Sequence, residues 1–119
     1  MQPVTFLSVE DVLALHQDTI EHEGGDPDIL NVGAVDSAAA MPRQQFGGEY
    51  LHPTLGAMAA AYLFHIAANH GFADGNKRTG LLAALVFLRH NGVDLDVPPQ
   101  DLEQLAAGVA SGRLSKQQV

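Results

Sequence analysis

The sequence predicts an all-α fold. Three observations carry this reading. Helix start and stop signals punctuate the chain about one helix length apart. The apolar residues between them recur at helical rather than alternating spacing. No convincing strand pair occupies the apolar stretches, and only one short hairpin signal is present. With 119 residues the chain has the size of a single domain, expected to span residues 1–119 and to bury a core without staples.

Taken in order, Ser8 stands three residues before Asp11, the pattern of a capping box. Val9, Val12, Leu13, His16 and Ile20 then form a helical stripe, which Gly24-Gly25 ends. Residues 24–31, GGDPDILN, read as a turn-rich connection. An alanine-rich helix is predicted from Ala34 to Met41, stopped near Pro42. The stretch QQFGGEYLHPT reads as a loop or small hairpin turning at Gly47-Gly48, and His52 within it reads as structural. Thr54 caps the next helix, with Leu55, Met58, Ala59, Tyr62 and Ile66 on one face. That helix runs out near His70-Gly71.

A further helix starts near Asn76, runs to about His90 and stops at Asn91-Gly92. From Gly80 to Leu88 it is apolar on every side, so it is predicted to be the central buried helix. VDLDVPP reads as extended, residues 100–110 as another helix, and SGRLSKQQV as a polar tail that starts a last turn. About six helices result.

Composition narrows the function classes. The formal charge is −8, with six Lys and Arg in all, which disfavours general nucleic-acid binding. No cysteine is present, so thiolate metal sites and disulfides are excluded. The opening residues lack a signal-peptide pattern, and a cytoplasmic location is expected. Residues 50–73 carry no Asp, Glu, Lys or Arg and are long enough to span a bilayer. Their His52, Pro53, Asn69 and many alanines favour a buried helix, and no membrane association is expected.

Two of the six cations stand together in HGFADGNKRTG, residues 70–80. A Lys-Arg doublet is commonly no more than a solvated surface pair. Here, however, it falls in the first turn of a predicted helix, where unpaired N–H groups and the dipole favour an anion. Lys77 adds a point charge and Arg78 a planar fork that fits phosphate oxygens. Gly71 and Gly75 allow the backbone to approach a ligand closely. Asp74 repels phosphate unless a divalent cation lies between them, and Mg²⁺ binds commonly through one carboxylate plus substrate phosphates. His70, ending the preceding helix, is placed to act as a general base. Asn76 alone reads as an N-cap, Asp74 alone as a turn residue and Phe72 as a core anchor. It is the joint occurrence within nine residues that points to a phosphate site.

These residues resemble the Fic/Doc superfamily. Its signature runs His-Pro-Phe-x-(Asp/Glu)-Gly-Asn-Gly-Arg, with a second arginine three positions on. HGFADGNKR keeps His70, Phe72, Asp74, Gly75, Asn76 and Arg78, while Lys77 replaces the third glycine and Leu81 the second arginine. Both departures follow the death-on-curing (Doc) branch, toxins of type II toxin–antitoxin modules. FLSVEDVLALH, FGGEYLHPTLGAMAAAYLFHIAANH, GLLAALVFLRHNGVDLD and LAAGVASGRLS extend the resemblance over most of the chain.

The resemblance implies a compact helical fold and an ATP-dependent transferase. For the Doc branch it implies transfer of the γ-phosphoryl group of Mg-ATP to a Ser or Thr hydroxyl of a translation factor of the elongation factor Tu class. Transfer of AMP, as in Fic enzymes, is the alternative, and a degenerate regulatory fold is another. His70 is then the base, Asp74 the Mg²⁺ ligand, and Gly75, Asn76, Lys77 and Arg78 bind the nucleotide phosphates. A flap at about residues 45–53 aligns the target, and a Phd-like antitoxin restrains the enzyme. Gly71 stands where the family carries proline, which predicts a more flexible loop. TIEHEG, Thr19 to Gly24, matches the family's inhibitory pattern (Ser/Thr)-x-x-x-Glu-(Gly/Asn). With Leu81 at the position of the usual arginine partner, Glu23 is expected to stand unpaired and the match to be chance.

Overall fold

The computed structural model describes residues 3–93. Within them the order is α1 (Val9–Glu23), α2 (Val32–Ala40), a 3₁₀ turn (Met41–Arg43), a hairpin of β1 (Gln45–Phe46) and β2 (Glu49–Tyr50), then α3 (Leu55–Asn69) and α4 (Asn76–His90). The helix and turn expected beyond residue 99 lie outside the described residues. The regular elements described are helical apart from the two-stranded hairpin, as the sequence predicts.

The caps form as the sequence predicts. Ser8 and Asp11 close a full capping box at α1, and Thr54 accepts from the Ala57 N–H at α3. Each such cap contributes about 1 kcal/mol. One boundary differs. Asn31 accepts from the Ala34 N–H, so α2 begins at Val32 rather than Ala34. Pro42 enters the 3₁₀ turn instead of ending the helix abruptly, because that tight turn tolerates a proline near its start.

The α3–α4 helix hairpin forms the centre. Gly80 lets the two helices come close: a Cβ there would lie 3.0 Å from the Leu63 carbonyl oxygen. Tyr62 and Phe87 fill the middle with ring centroids 5.1 Å apart, and Phe6 stacks on Phe87 at 5.8 Å. α4 is the central buried helix that the sequence predicts, packed against both α3 and α1, though not buried on every side. Thr79, Gly80, Leu81, Ala83, Ala84, Phe87 and Leu88 are buried, while Leu82, Leu85 and Val86 are half-buried.

Tyr62 ties the N-terminal segment to this core. Its hydroxyl accepts from the Leu7 N–H at 2.8 Å and donates to the Leu7 carbonyl at 3.3 Å. Burial pushes the phenol above its ordinary value, partly offset by the Leu7 N–H. The folded state therefore holds this proton more tightly than the unfolded chain. Its contribution is present below the unfolded value of about 10 and is lost as pH rises through the folded value. Tyr62→Phe should lower stability by about 1–3 kcal/mol at neutral pH, because the buried Leu7 groups lose their partner. In urea titrations the gap to wild type should narrow above pH ~10, since the variant lacks this titration.

Candidate functional site

The site is the loop between α3 and α4. α3 stops because His70 adopts the left-handed conformation, φ 51° and ψ 46°, alone among the described non-glycine residues in having positive φ. The chain then drops Phe72 into the core, 2% exposed, where it stacks on His16 of α1 with centroids 3.7 Å apart and planes at 5°.

Four sets of bonds fix this loop. The segment between α1 and α2 pairs with it: the Leu30 and Asn31 N–H groups donate to the Gly71 carbonyl at 2.8 and 3.1 Å, and the Ala73 N–H donates to the Asp28 carbonyl. Asn76 clasps the loop from the other side. Its side-chain carbonyl accepts from the Phe72 N–H at 3.1 Å, and its amide donates to the Phe72 carbonyl at 2.9 Å. His16 Nε2 lies 2.9 Å from the Asp74 carbonyl. The Asp26 N–H donates to Asp74 Oδ2 at 2.8 Å.

The sequence-predicted residues are therefore placed as follows. His70 is exposed at the end of α3. Gly75, not Asn76, is the N-cap of α4, and no side chain caps it. The opening N–H groups of Asn76, Lys77 and Arg78 thus have no acceptor within the helix. The Asn76 side chain serves the loop's backbone, so what it offers an anion is its main-chain N–H. Lys77 is exposed and Arg78 half-buried. Since α3 and α4 form a hairpin, the His70 end of one and the cationic end of the other share one end of it.

Two expectations are corrected. Glu23 has a partner: its Oε1 lies 3.6 Å from an Arg78 Nη. The last turn of α1 ends beside the first turn of α4, which allows the first motif arginine to meet it where Leu81 does not. Both groups are partly exposed, so the pair contributes at most about 1 kcal/mol to stability.

Gly71 is not a point of slack either. It is buried, its carbonyl accepts two N–H groups, and a Cβ there would lie 2.6 Å from Val35 Cγ2. Val35 is itself buried and stiff at χ1. Gly71→Ala should therefore cost about 1–3 kcal/mol through overpacking. A second substitution, Val35→Ala, should recover part of it. Urea midpoints of the single and double variants check this.

The sequence reading missed His16, Asp26 and residues 28–31 as supports of the loop. Asp26 carried a signal: its carboxylate accepts from the Asp28 N–H at 2.9 Å, an Asx turn written in Asp-Pro-Asp. His16 reads in the sequence only as one position of an apolar stripe. His52 is 8% exposed, in line with its structural reading.

What the residues offer a divalent cation is a single carboxylate. Among the described residues no group of three or more His, Asp or Glu could cage a metal. Asp74 is exposed, and the Asp26 N–H takes up one lone-pair site of its carboxylate. The rest suit a cation held by one carboxylate and substrate phosphates. Among the described residues no helix is long and apolar enough to cross a membrane.

Comparison with known proteins adds to this geometry. The Fic/DOC family model matches residues 6–88. The chain is 36% identical to "Protein kinase doc" of Escherichia phage P1 over 109 residues, covering 92% of this chain and 85% of that protein. It is 40% identical to "Toxin Doc" of Mycolicibacterium smegmatis over 90 residues, covering 76% of this chain and 67% of the other.

Proposed function

The chain belongs to the Fic/DOC family, and from that premise we propose that it is a Doc-like toxin kinase. It transfers the γ-phosphoryl group of Mg-ATP to a Ser or Thr hydroxyl of a translation factor of the elongation factor Tu class and so blocks protein synthesis. The observation that carries this reading is the uncapped N-terminus of α4, bearing Lys77 and Arg78, at the end of the helix hairpin where His70 stands. The names of the two relatives, a protein kinase and a toxin, support it.

In this reading the His70 imidazole takes the proton from the target hydroxyl. The oxygen bonds to the γ-phosphorus, the bond to the bridging oxygen breaks, and ADP leaves. The N–H groups of Gly75, Asn76 and Lys77, with the Lys77 and Arg78 side chains, hold the phosphates in line. Phosphoryl transfer relies mainly on such positioning and charge stabilisation. Mg²⁺, held by Asp74 and the phosphates, neutralises charge on the phosphate oxygens when bound. An antitoxin of the Phd-like kind restrains the enzyme, and the hairpin of β1 and β2 guides the target backbone.

Label transfer in an antitoxin-free bacterial translation extract tests this. The purified chain with Mg²⁺ and γ-labelled ATP should mark one protein band, absent with His70→Ala. An α-labelled band would make the protein an AMP transferase. No labelled band from either nucleotide would overturn the transferase reading.

A further inference from the structure

We propose that His16 is a positioning residue, which locks the Asp74–Gly75 peptide so that its N–H joins the phosphate-binding groups. The inference deepens the nucleotide reading above and rests on it for its functional consequence, though not for its structural one. Gly75 has φ 84° and ψ 13°, and Asn76 after it is helical. A left-handed residue followed by a right-handed one turns three successive N–H groups, here those of Gly75, Asn76 and Lys77, into one concavity that suits an anion. The first of the three depends on which way the peptide before Gly75 faces.

That peptide has two ready orientations. Gly75 holds the conformation of the third residue of a type II turn, and the type I alternative flips the peptide just before it. Glycine tolerates both, so the backbone alone does not choose. In a trans peptide the C=O and N–H point in opposite directions. His16 Nε2 meets the Asp74 carbonyl at 2.9 Å. The carbonyl is thus drawn toward α1, and the Gly75 N–H faces away from α1. Flipped, the peptide would present a carbonyl oxygen where a phosphate oxygen must sit.

His16 is built for this hold. A carbonyl oxygen only accepts, so Nε2 carries the hydrogen. The ring is 3% exposed and stacks on Phe72 at 3.7 Å, which fixes where its donor points. Its Cδ2 also stands 3.5 Å from where a Gly75 Cβ would be, so it packs against the same turn it bonds. A ring kept only for packing would not need the donor.

Two variants separate donor from ring. His16→Phe keeps the ring on Phe72 and removes the donor. His16→Gln keeps an N–H donor at the same distance along the side chain and removes the ring. With ATP and Mg²⁺ in calorimetry, His16→Phe should weaken binding at least about ten-fold, the loss expected when a peptide is free to turn its oxygen to the phosphate. His16→Gln should stay within about three-fold of wild type.

The Gly75 amide signal in ¹⁵N–¹H spectra without ligand reads the peptide itself. It should move in His16→Phe and stay near its wild-type position in His16→Gln. Equal behaviour of the two variants in this signal would overturn the proposal. So would a wild-type His16 carrying its hydrogen on Nδ1 in long-range ¹⁵N–¹H correlations, a measurement that needs no variant to fold. If the Gly75 signal responds as expected and wild type binds no ATP, the nucleotide reading fails while the positioning of the peptide stands.

Discussion

Replacing His70 with glycine should abolish phosphoryl transfer while leaving the fold as stable as before, or slightly more stable. The imidazole is the only group assigned to take the target's proton, and loss of a general base costs about 10²–10⁴ in rate. Stability moves the other way because of the backbone. His70 sits at φ 51°, and a left-handed conformation costs a non-glycine residue about 1–2 kcal/mol. Glycine removes that strain and adds about 0.5–1 kcal/mol of lost unfolded-state freedom. The balance lies between zero and about 1.5 kcal/mol of stabilisation. The exposed side chain adds little to packing. His70→Ala, which keeps the strain, should be equally inactive without the gain. Initial rates with γ-labelled ATP and urea midpoints on the same preparations read both quantities. Undiminished transfer in either variant would remove His70 from the role of base.

Phe72→Ala should have the largest effect on stability. The ring is 2% exposed and stacked on His16, and it is the only large side chain that the loop sends into the core. Truncating a buried phenylalanine costs about 3–5 kcal/mol, of a total of about 5–15 for a domain. The loss is not local in its consequences. Phe72 is also the residue whose N–H and C=O the Asn76 amide clasps, and it faces Ile29 across the bridge to the α1–α2 segment. Urea unfolding should rank wild type above Phe72→Leu and Phe72→Leu above Phe72→Ala. A loss below about 1 kcal/mol for the alanine variant would show that the clasps hold the loop without its anchor.

Much of the fold was legible in the sequence because its helices carry their own punctuation. Ser8, Thr54 and the Asn91-Gly92 stop all mark ends that the structure reproduces. The loop itself was legible because its chemistry is compressed into consecutive residues. What was not legible are the contacts that cross the chain. His16 reaches a carbonyl 58 residues away, and Asp26 a carboxylate 48 residues away. A stripe of apolar spacing says that a histidine faces inward, not whose carbonyl it meets. The Glu23–Arg78 pair escaped for the same reason: the family pattern pointed to position 81, while helix packing brings up position 78. Gly71 read as freedom because its neighbour Val35 is remote in sequence and close only in the folded chain.

The division between a helix hairpin and the clamp that holds its loop has a consequence in time. The α3–α4 pairing joins neighbouring segments, and contacts of that kind form early in folding because little chain entropy is lost in closing them. The bonds from His16, Asp26 and residues 28–31 must wait for α1 and α2 to arrive from far along the chain. The same bonds are expected to open before the hairpin parts, since their loss exposes less of the core. A fraction of the molecules is thus expected to keep every helix of the hairpin while the phosphate loop has come undone. In amide exchange such a population shows as the bonded N–H groups of Leu30, Asn31, Phe72 and Ala73 exchanging well ahead of the middle of α3 and α4. Activity would then decline on warming before the helical signal does.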